Sequence, residues 1–393
     1  MRLADRVVAL KPSATLAVNA IALELAKAGR DIISLSVGEP DFDTPPSVKA
    51  AAVRAIEEGF TKYTAEAGMP ELRRAAAEYF NRNYEAGAGA ENILIGNGGK
   101  QCLFNAVMSL LNPGDEALLP APYWVSYPAM IEIAGGKTVV VKSGAERGFK
   151  VRPEDLERHF TSRTRICILN SPSNPTGVIY TQAEMDALAA WAVERKILLI
   201  SDEIYDQLVY APARHYSLCG WWKKHPENFA VVNGVSKSFA MTGWRLGYIM
   251  AHPDLIKAAG KLQGQSTSNV CSITQKAALA ALAGPMPELP VMRASFERRR
   301  KLTMEAIASW PGVFCPQPHG AFYVFPDMHN VYSGKISGST ALCSYLLEKA
   351  GVALVPGEAF GEDDCVRISY VTEEKTLVRA LDKIREALFK VNK

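Results

Sequence analysis

Ile93-Leu94-Ile95-Gly96-Asn97-Gly98-Gly99-Lys100-Gln101 is the stretch from which the fold can be read. A short apolar run ends among glycines, and a helical pattern, Lys100–Leu111, begins at once. This is a strand turning directly into a helix, and the same unit recurs on either side. Strand patterns at Asn92–Ile95, Glu116–Leu119, Thr138–Val141, Ile166–Leu169, Ile197–Ser201, Phe229–Asn233 and Leu246–Met250 alternate with helical ones such as Tyr123–Ala134 and Ala183–Glu194. The runs are apolar on both faces, as strands covered by helices on both sides require. Asn112-Pro113-Gly114-Asp115 and Gly135-Gly136 stop the helices between them. The alternation predicts an α/β fold with a mainly parallel seven-stranded sheet sandwiched by helices.

Beyond about residue 291 the pattern changes. A long polar helix is expected over Leu289–Trp310, and its Arg298-Arg299-Arg300-Lys301 run is expected on a solvated face. Strands Ala321–Phe325, Val352–Val355 and Val366–Tyr370 and helices Ser339–Ala350 and Glu373–Val391 complete a smaller α+β unit. The N-terminal helix, Thr15–Ala28, has no partner of its own and is expected to pack there. The expected division is 46–291 for a large domain, and 1–45 with 292–393 for a small one.

Composition narrows the possible functions. The 393 residues suggest about two domains at the usual ~150 residues each. Lys and Arg (44) nearly balance Asp and Glu (41), and a net charge of +3 disfavours binding to nucleic acid or anionic lipid. No apolar run is long enough for a membrane span, and no leader pattern marks the N-terminus. Cysteines at 102, 167, 219, 271, 315, 343 and 365 form no C-x-x-C pair, so neither a disulfide framework nor a zinc site is signalled. A cytoplasmic protein is expected.

Ligands of open α/β sheets bind at the carboxyl ends of strands. Four such ends carry polar residues. At Gly96–Gln101, glycines and a new helix offer backbone N–H groups to an anion, although a plain tight turn would read the same. Asn170-Ser171-Pro172-Ser173-Asn174-Pro175 is a loop in which either X–Pro bond could be cis, and Asn174 could serve a ligand or only a rigid turn. Asp202 closes an apolar run, where a carboxylate is costly without a cation or a donor, and Tyr205 follows it. Lys237 lies just past another such run, so its pKa should be depressed; a neutral amine can capture an aldehyde. Arg245, eight residues on, can hold a phosphate. An aldehyde-capturing amine, an anion cradle and a buried carboxylate together meet the needs of pyridoxal 5′-phosphate.

Here the sequence resembles a known family. Asn174-Pro175-Thr176-Gly177, Ser201-Asp202-Glu203-Ile204-Tyr205 and Ser236-Lys237-Ser238-Phe239, with Arg245 beyond them, are similar to class I pyridoxal-phosphate aminotransferases of fold type I. Lys11-Pro12-Ser13-Ala14-Thr15, Val37-Gly38-Glu39-Pro40-Asp41-Phe42, Lys62-Tyr63-Thr64, Pro122-Tyr123-Trp124, Gly320-Ala321-Phe322-Tyr323 and Val366-Arg367-Ile368-Ser369-Tyr370 extend the likeness over nearly the whole chain. The nearest branch is the bacterial aspartate aminotransferases, some of which also act on prephenate.

The resemblance implies a role for each residue. Lys237 forms the Schiff base and shuttles the proton. Asp202 pairs with the pyridine nitrogen, Tyr205 and Asn174 serve the ring hydroxyl, and Trp124 stacks on the ring. Arg245, Ser236 and the amides of Gly99 and Lys100 hold the phosphate, with Tyr63 reaching in from the second subunit of a homodimer. Arg367 and the Gly38 backbone take the substrate α-carboxylate, while Lys100 and Lys11 could meet a distal one. Where the animal-type branch has a phosphate-binding serine, this chain has Gly234, which makes Ser236 the weaker assignment.

The implied activity is a ping-pong amino transfer in amino-acid metabolism. An L-amino acid, with aspartate first, exchanges its amino group with a 2-oxo acid, and glutamate and 2-oxoglutarate form the partner pair. Prephenate or aromatic acids are additional substrates. The alternatives are a C–S β-lyase with the same cofactor and a regulatory domain without catalysis. The latter should lack the lysine or the arginine, and this chain has both.

Overall fold

The computed structural model describes residues 1–393 except 11, 13, 335 and 390–393. A short strand, β1 (Ile33–Ser34), precedes the central sheet. That sheet comprises β2 (Ile93–Gly96), β3 (Glu116–Pro120), β4 (Lys137–Val141), β5 (Thr164–Asn170), β6 (Leu198–Asp202), β7 (Phe229–Gly234) and β8 (Gly247–Met250). The order across it is β2-β8-β7-β6-β5-β3-β4. Every neighbouring pair is parallel except those of β8, which runs antiparallel to both β2 and β7. All seven expected strands are present, each within a residue or two of its expected bounds.

The alternation of side chains across the sheet builds two cores. Leu94, Ile166, Ile168 and Ile200 pack on one face, against helices Gly99–Leu110 and Pro253–Ser266. Their neighbours Ile93, Ile95, Cys167, Leu169 and Leu199 pack on the other, with helices Pro46–Glu57, Pro70–Tyr84 and Ser272–Ala283. Three of these helices start with proline at the first turn, where no N–H is needed. Helix Gln182–Arg195 starts with a capping box: the Thr181 N–H donates to the Glu184 carboxylate at 2.7 Å, and the Glu184 N–H returns a bond to Thr181 Oγ1.

A further hydrophobic interior surrounds the remaining strands. β9 (Tyr323–Val324), β10 (Val352–Ala353), β11 (Val355–Pro356) and β12 (Val366–Ser369) form an antiparallel sheet β11-β12-β9 and a parallel pair β1-β10. Helices Glu288–Ala308, Ser339–Lys349 and Glu374–Leu388 enclose them. The N-terminal helix, Ala14–Lys27, lies against β1, β10 and β11, the packing expected of it from sequence.

Some expectations are corrected. Val352–Val355 is not one strand, because β10 and β11 belong to different sheets. The helix expected at Tyr123 starts at Tyr127, and residues 121–126 form a turn that aims Trp124 at the strand ends. The run Arg298–Lys301 is not wholly solvated. Four consecutive helical residues sweep around about 300° and cannot share one face. Arg299 is buried on Asp41 at 2.8 Å between the rings of Phe42 and Phe296, and Arg300 donates to the Pro318 carbonyl at 2.8 Å beneath Tyr210. Arg298 and Lys301 remain at the surface. Among the described residues, no helix is long and apolar enough to cross a membrane, and no cluster of metal-binding side chains occurs.

Candidate active site

The carboxyl ends of β2, β5, β6 and β7 lie along one edge, and reversed β8 starts where they finish. Gly247 pairs with Gly96 on one side and with Gly234 on the other. The reversal brings Arg245, two residues before β8, to the same edge as Asp202 and Lys237. The crossing is tight. A Cβ on Gly247 would sit 2.2 Å from the Gly99 backbone nitrogen, so only glycine passes there. A side chain at Gly234 would meet the Gly247 Cα and Ile204 at 3.0 Å, which explains the missing serine.

A cleft of about 410 Å3 opens at this edge. It gathers Gly38, Gly99, Lys100, Trp124, Asn174, Asp202, Tyr205, Ser236, Lys237, Arg245 and Arg367. Tyr63 is not among them; it is 91% exposed, away from its own chain's cleft. Lys11 lies outside the described residues.

Lys237 Nζ donates to the Gly38 carbonyl at 2.5 Å. Burial lowers its pKa to about 8, opposed by Glu39 and aided by Arg245 and Arg367. Asp202 is the last residue of β6. Burial pushes its pKa up to about 6, against the hydrogen bonds it accepts from the Tyr127 hydroxyl at 2.8 Å and the Ile204 N–H at 3.3 Å. Glu203 next to it faces the opposite way, as strand alternation demands, and accepts from Ser201, the Leu218 N–H and His215. One carboxylate thus faces the cleft, and the other serves the fold.

The side of the cleft at Gly98 and Gly99 is built mostly of backbone. Gly98 has φ +86° and precedes the helix Gly99–Leu110, whose first N–H groups open onto the cleft. Arg245 has φ +53°, an uncommon conformation for a residue with a side chain. It is held by bonds from Nη1 to the Thr242 carbonyl at 2.8 Å and from Nη2 to the Asn97 carbonyl at 3.4 Å. The Lys100 ammonium lies 4.8 Å over the Trp124 ring, its pKa lowered first by burial and then by Arg245.

Arg367 is 2% exposed. It donates to Asn174 Oδ1 at 3.1 Å and to the Ser36 carbonyl at 2.6 Å, and its buried Nε has no partner among the described residues. Both X–Pro bonds of the Asn174 loop are cis, and its backbone is pinned by Asn174 N–H donating to Asn170 Oδ1 at 2.7 Å. Segment 36–44 straps the cleft from above. Thr242 donates to the Glu39 carboxylate at 2.7 Å, and Thr44 donates to the Ala240 carbonyl at 2.8 Å while accepting from Trp244.

Residues 30–384 match the family described as aminotransferase class I and II. An aspartate/prephenate aminotransferase of Cereibacter sphaeroides is 47% identical over 390 residues, covering 98% of each chain. The chain belongs to the class I and II aminotransferases. An aspartate aminotransferase of Bacillus subtilis is 43% identical over 386 residues, again with 98% of each chain covered. Among solved structures, the Thermus thermophilus aspartate aminotransferase with maleate superposes with a TM-score of 0.94 at 44% identity, covering 99% of this chain and all of the other. The C–S lyase alternative finds no support among these relatives.

Sequence reading of this aminotransferase missed residues that the geometry adds. Tyr127 supports Asp202, and Asn170 orients the Asn174 loop. Tyr323, Glu39 and Thr242 line the cleft. Tyr127 could have been suspected as an aromatic hydroxyl close to Trp124 in sequence. The partners of Glu39 and Tyr323 are distant in sequence and leave no local pattern.

Proposed function

We propose that this aminotransferase uses pyridoxal 5′-phosphate to exchange the amino group of aspartate with 2-oxo acids. Glutamate and 2-oxoglutarate form the partner pair, and prephenate or aromatic acids are further substrates. The observation that carries the reading is a buried lysine with pKa about 8 and a buried carboxylate with pKa about 6, sharing one cleft with a buried arginine.

The residues present fit the cofactor. A cradle of backbone N–H groups with Arg245 beside it suits a phosphate ester, with Ser236 adding a hydroxyl. Its tightness supports the reading: a Cβ on Gly98 would meet Arg245 Nη2 at 2.6 Å. Asp202 would hold the pyridine nitrogen, and a cation there would draw its pKa back down. Tyr205 and Asn174 would take the ring hydroxyl, and Trp124 the ring face. When bound, the cofactor supplies an aldehyde for the amine and an electron sink for charge developing on the substrate α-carbon. Lys237 Nζ, partly uncharged near neutral pH, would carry the proton to and from that carbon. Arg367 would clamp the α-carboxylate as a bidentate fork, with the Gly38 backbone above it and water kept out by the strap. Lys100 would meet a distal carboxylate, and the sequence adds Lys11 to that role.

We further propose a homodimer in which Tyr63 completes the neighbouring cleft. Its exposure supports this, as do exposed Val53 and Ile56 on the helix leading to it. A hydrophobic interior around β9–β12, apart from the two that flank the central sheet, supports a smaller domain from 1–45 and 292–393 beside a cofactor-holding one at 46–291, with Tyr205, Leu208 and Tyr210 of the larger range joining it. Free cysteines, five of them buried, suit the cytoplasm.

A half-reaction screen tests the function. Protein loaded with pyridoxal 5′-phosphate is mixed with single amino acids, and aspartate and glutamate are expected to discharge its visible absorption. Failure of both would end the reading. Pyruvate and ammonia released from cystathionine without any oxo-acid acceptor would favour the lyase. In Lys100→Ala, a preference for acidic over aromatic substrates that stays unchanged would remove its assigned role.

A further inference from the structure

Tyr323 has no part in the reading above, yet it touches three of the residues that do. It is 1% exposed and sits on β9, whose pairing with Ser369 of β12 fixes it beside Arg367. The Arg367 guanidinium lies 4.6 Å over its ring. Its hydroxyl is 3.0 Å from the Tyr205 hydroxyl, and a Cβ on Gly38 would approach that hydroxyl to 2.8 Å.

Two hydroxyls facing each other share one hydrogen bond and leave one proton over. Which proton is left depends on which phenol is the better donor. A cation over an aromatic face draws electron density from the ring and strengthens its O–H as a donor. Of the two, only Tyr323 carries such a cation among the described residues. Tyr323 therefore donates, and Tyr205 accepts and keeps its own proton for the cleft. A hydroxyl that already accepts a bond is in turn a stronger donor.

We propose that Tyr323 is a positioning residue that acts through Tyr205, orienting and strengthening the Tyr205 O–H toward the ring oxygen of the cofactor. The same hydroxyl fills the space above residue 38, so a side chain there would have to push it aside. The inference rests on the functional reading given above, in which Tyr205 meets the cofactor.

The experiment compares wild type, Tyr323→Phe, Tyr205→Phe and the double variant, each loaded with pyridoxal 5′-phosphate, by pH titration of the visible absorption. A weaker donor at Tyr205 leaves the ring oxygen more basic, so the loaded protein keeps its proton to higher pH. Tyr323→Phe should raise proton affinity roughly threefold, the scale of one cooperative hydrogen bond. Tyr205→Phe should raise it further. The double variant should match Tyr205→Phe alone. A merely structural tyrosine would give no shift, or the same shift whether residue 205 is Tyr or Phe, and either result overturns the proposal. Phe keeps the ring under Arg367, so the fold is not at stake. A wild-type protein that gains no visible absorption would sink the functional reading itself. A normal wild-type titration that Tyr323→Phe leaves unmoved sinks only this inference.

Discussion

Two buried side chains, Lys237 and Asp202, are displaced from their ordinary pKa values in opposite directions by one cause. Burial penalises charge, so the amine falls to about 8 and the carboxyl rises to about 6. At pH 7 roughly one Lys237 amine in ten is neutral, where an ordinary lysine has fewer than roughly one in a thousand. Aldehyde capture by the cofactor-free protein, trapped with borohydride and mapped by mass spectrometry, should rise with pH and level off just above 8. A yield at residue 237 still climbing at pH 10 would contradict this. Asp202 makes a stability statement. Its folded pKa lies above the usual 3.8, so the native state binds the proton more tightly than the unfolded chain. That contribution is complete below about pH 4 and is lost as pH rises through 6. At pH 7 Asp202 therefore destabilises the cofactor-free protein, by on the order of 3 kcal/mol. Asp202→Asn should raise its melting temperature at pH 7, with the gain vanishing toward pH 4, and should weaken cofactor binding at least about tenfold. Equal melting of the two proteins at both pH values would refute the argument.

At the scale of elements, the reversed strand β8 decides where the proposed anion site lies. Gly98→Ala tests this, because the new methyl would displace the Arg245 guanidinium and adopt φ +86°. Affinity for pyridoxal 5′-phosphate should fall about tenfold or more, the worth of a charge-assisted bond. Pyridoxal lacking the phosphate should bind almost as before, and equal losses for both, read by fluorescence titration, would count against the cradle. Most elements were legible in the sequence. Strands buried on both faces are continuous apolar runs, and glycine or proline ends them. The errors have physical reasons. Val352–Val355 reads as one strand because the change of sheet occurs at apolar Leu354, where composition carries no mark. Arg299 and Arg300 read as solvated because their partners, Asp41 and Pro318, lie elsewhere in the chain.

Across the whole molecule, the cleft is assembled from both ends of the sequence. Residues at the strand ends were legible because an apolar run points to each of them. The strap was not, because Glu39 meets Thr242 and Asp41 meets Arg299 only after folding. Tyr63 supplies the test at this scale. Mixing Lys237→Ala subunits with Tyr63→Ala subunits, each poorly active alone, should restore activity as hybrid dimers form, since one cleft in each hybrid is complete. If no activity returned although mass spectrometry showed hybrids, Tyr63 would not serve the neighbouring cleft.

The cradle at Gly98 and Gly99 has an evolutionary consequence. Main-chain amides are encoded by no particular codon, so point mutation can crowd them but cannot retune them. Elsewhere the cleft is lined by side chains, among them Thr15, Leu16 and Asn19 of the N-terminal helix, each one nucleotide change from another chemistry. On the function proposed above, lineages descending from such a protein would trade one acid for another while inheriting the same cradle.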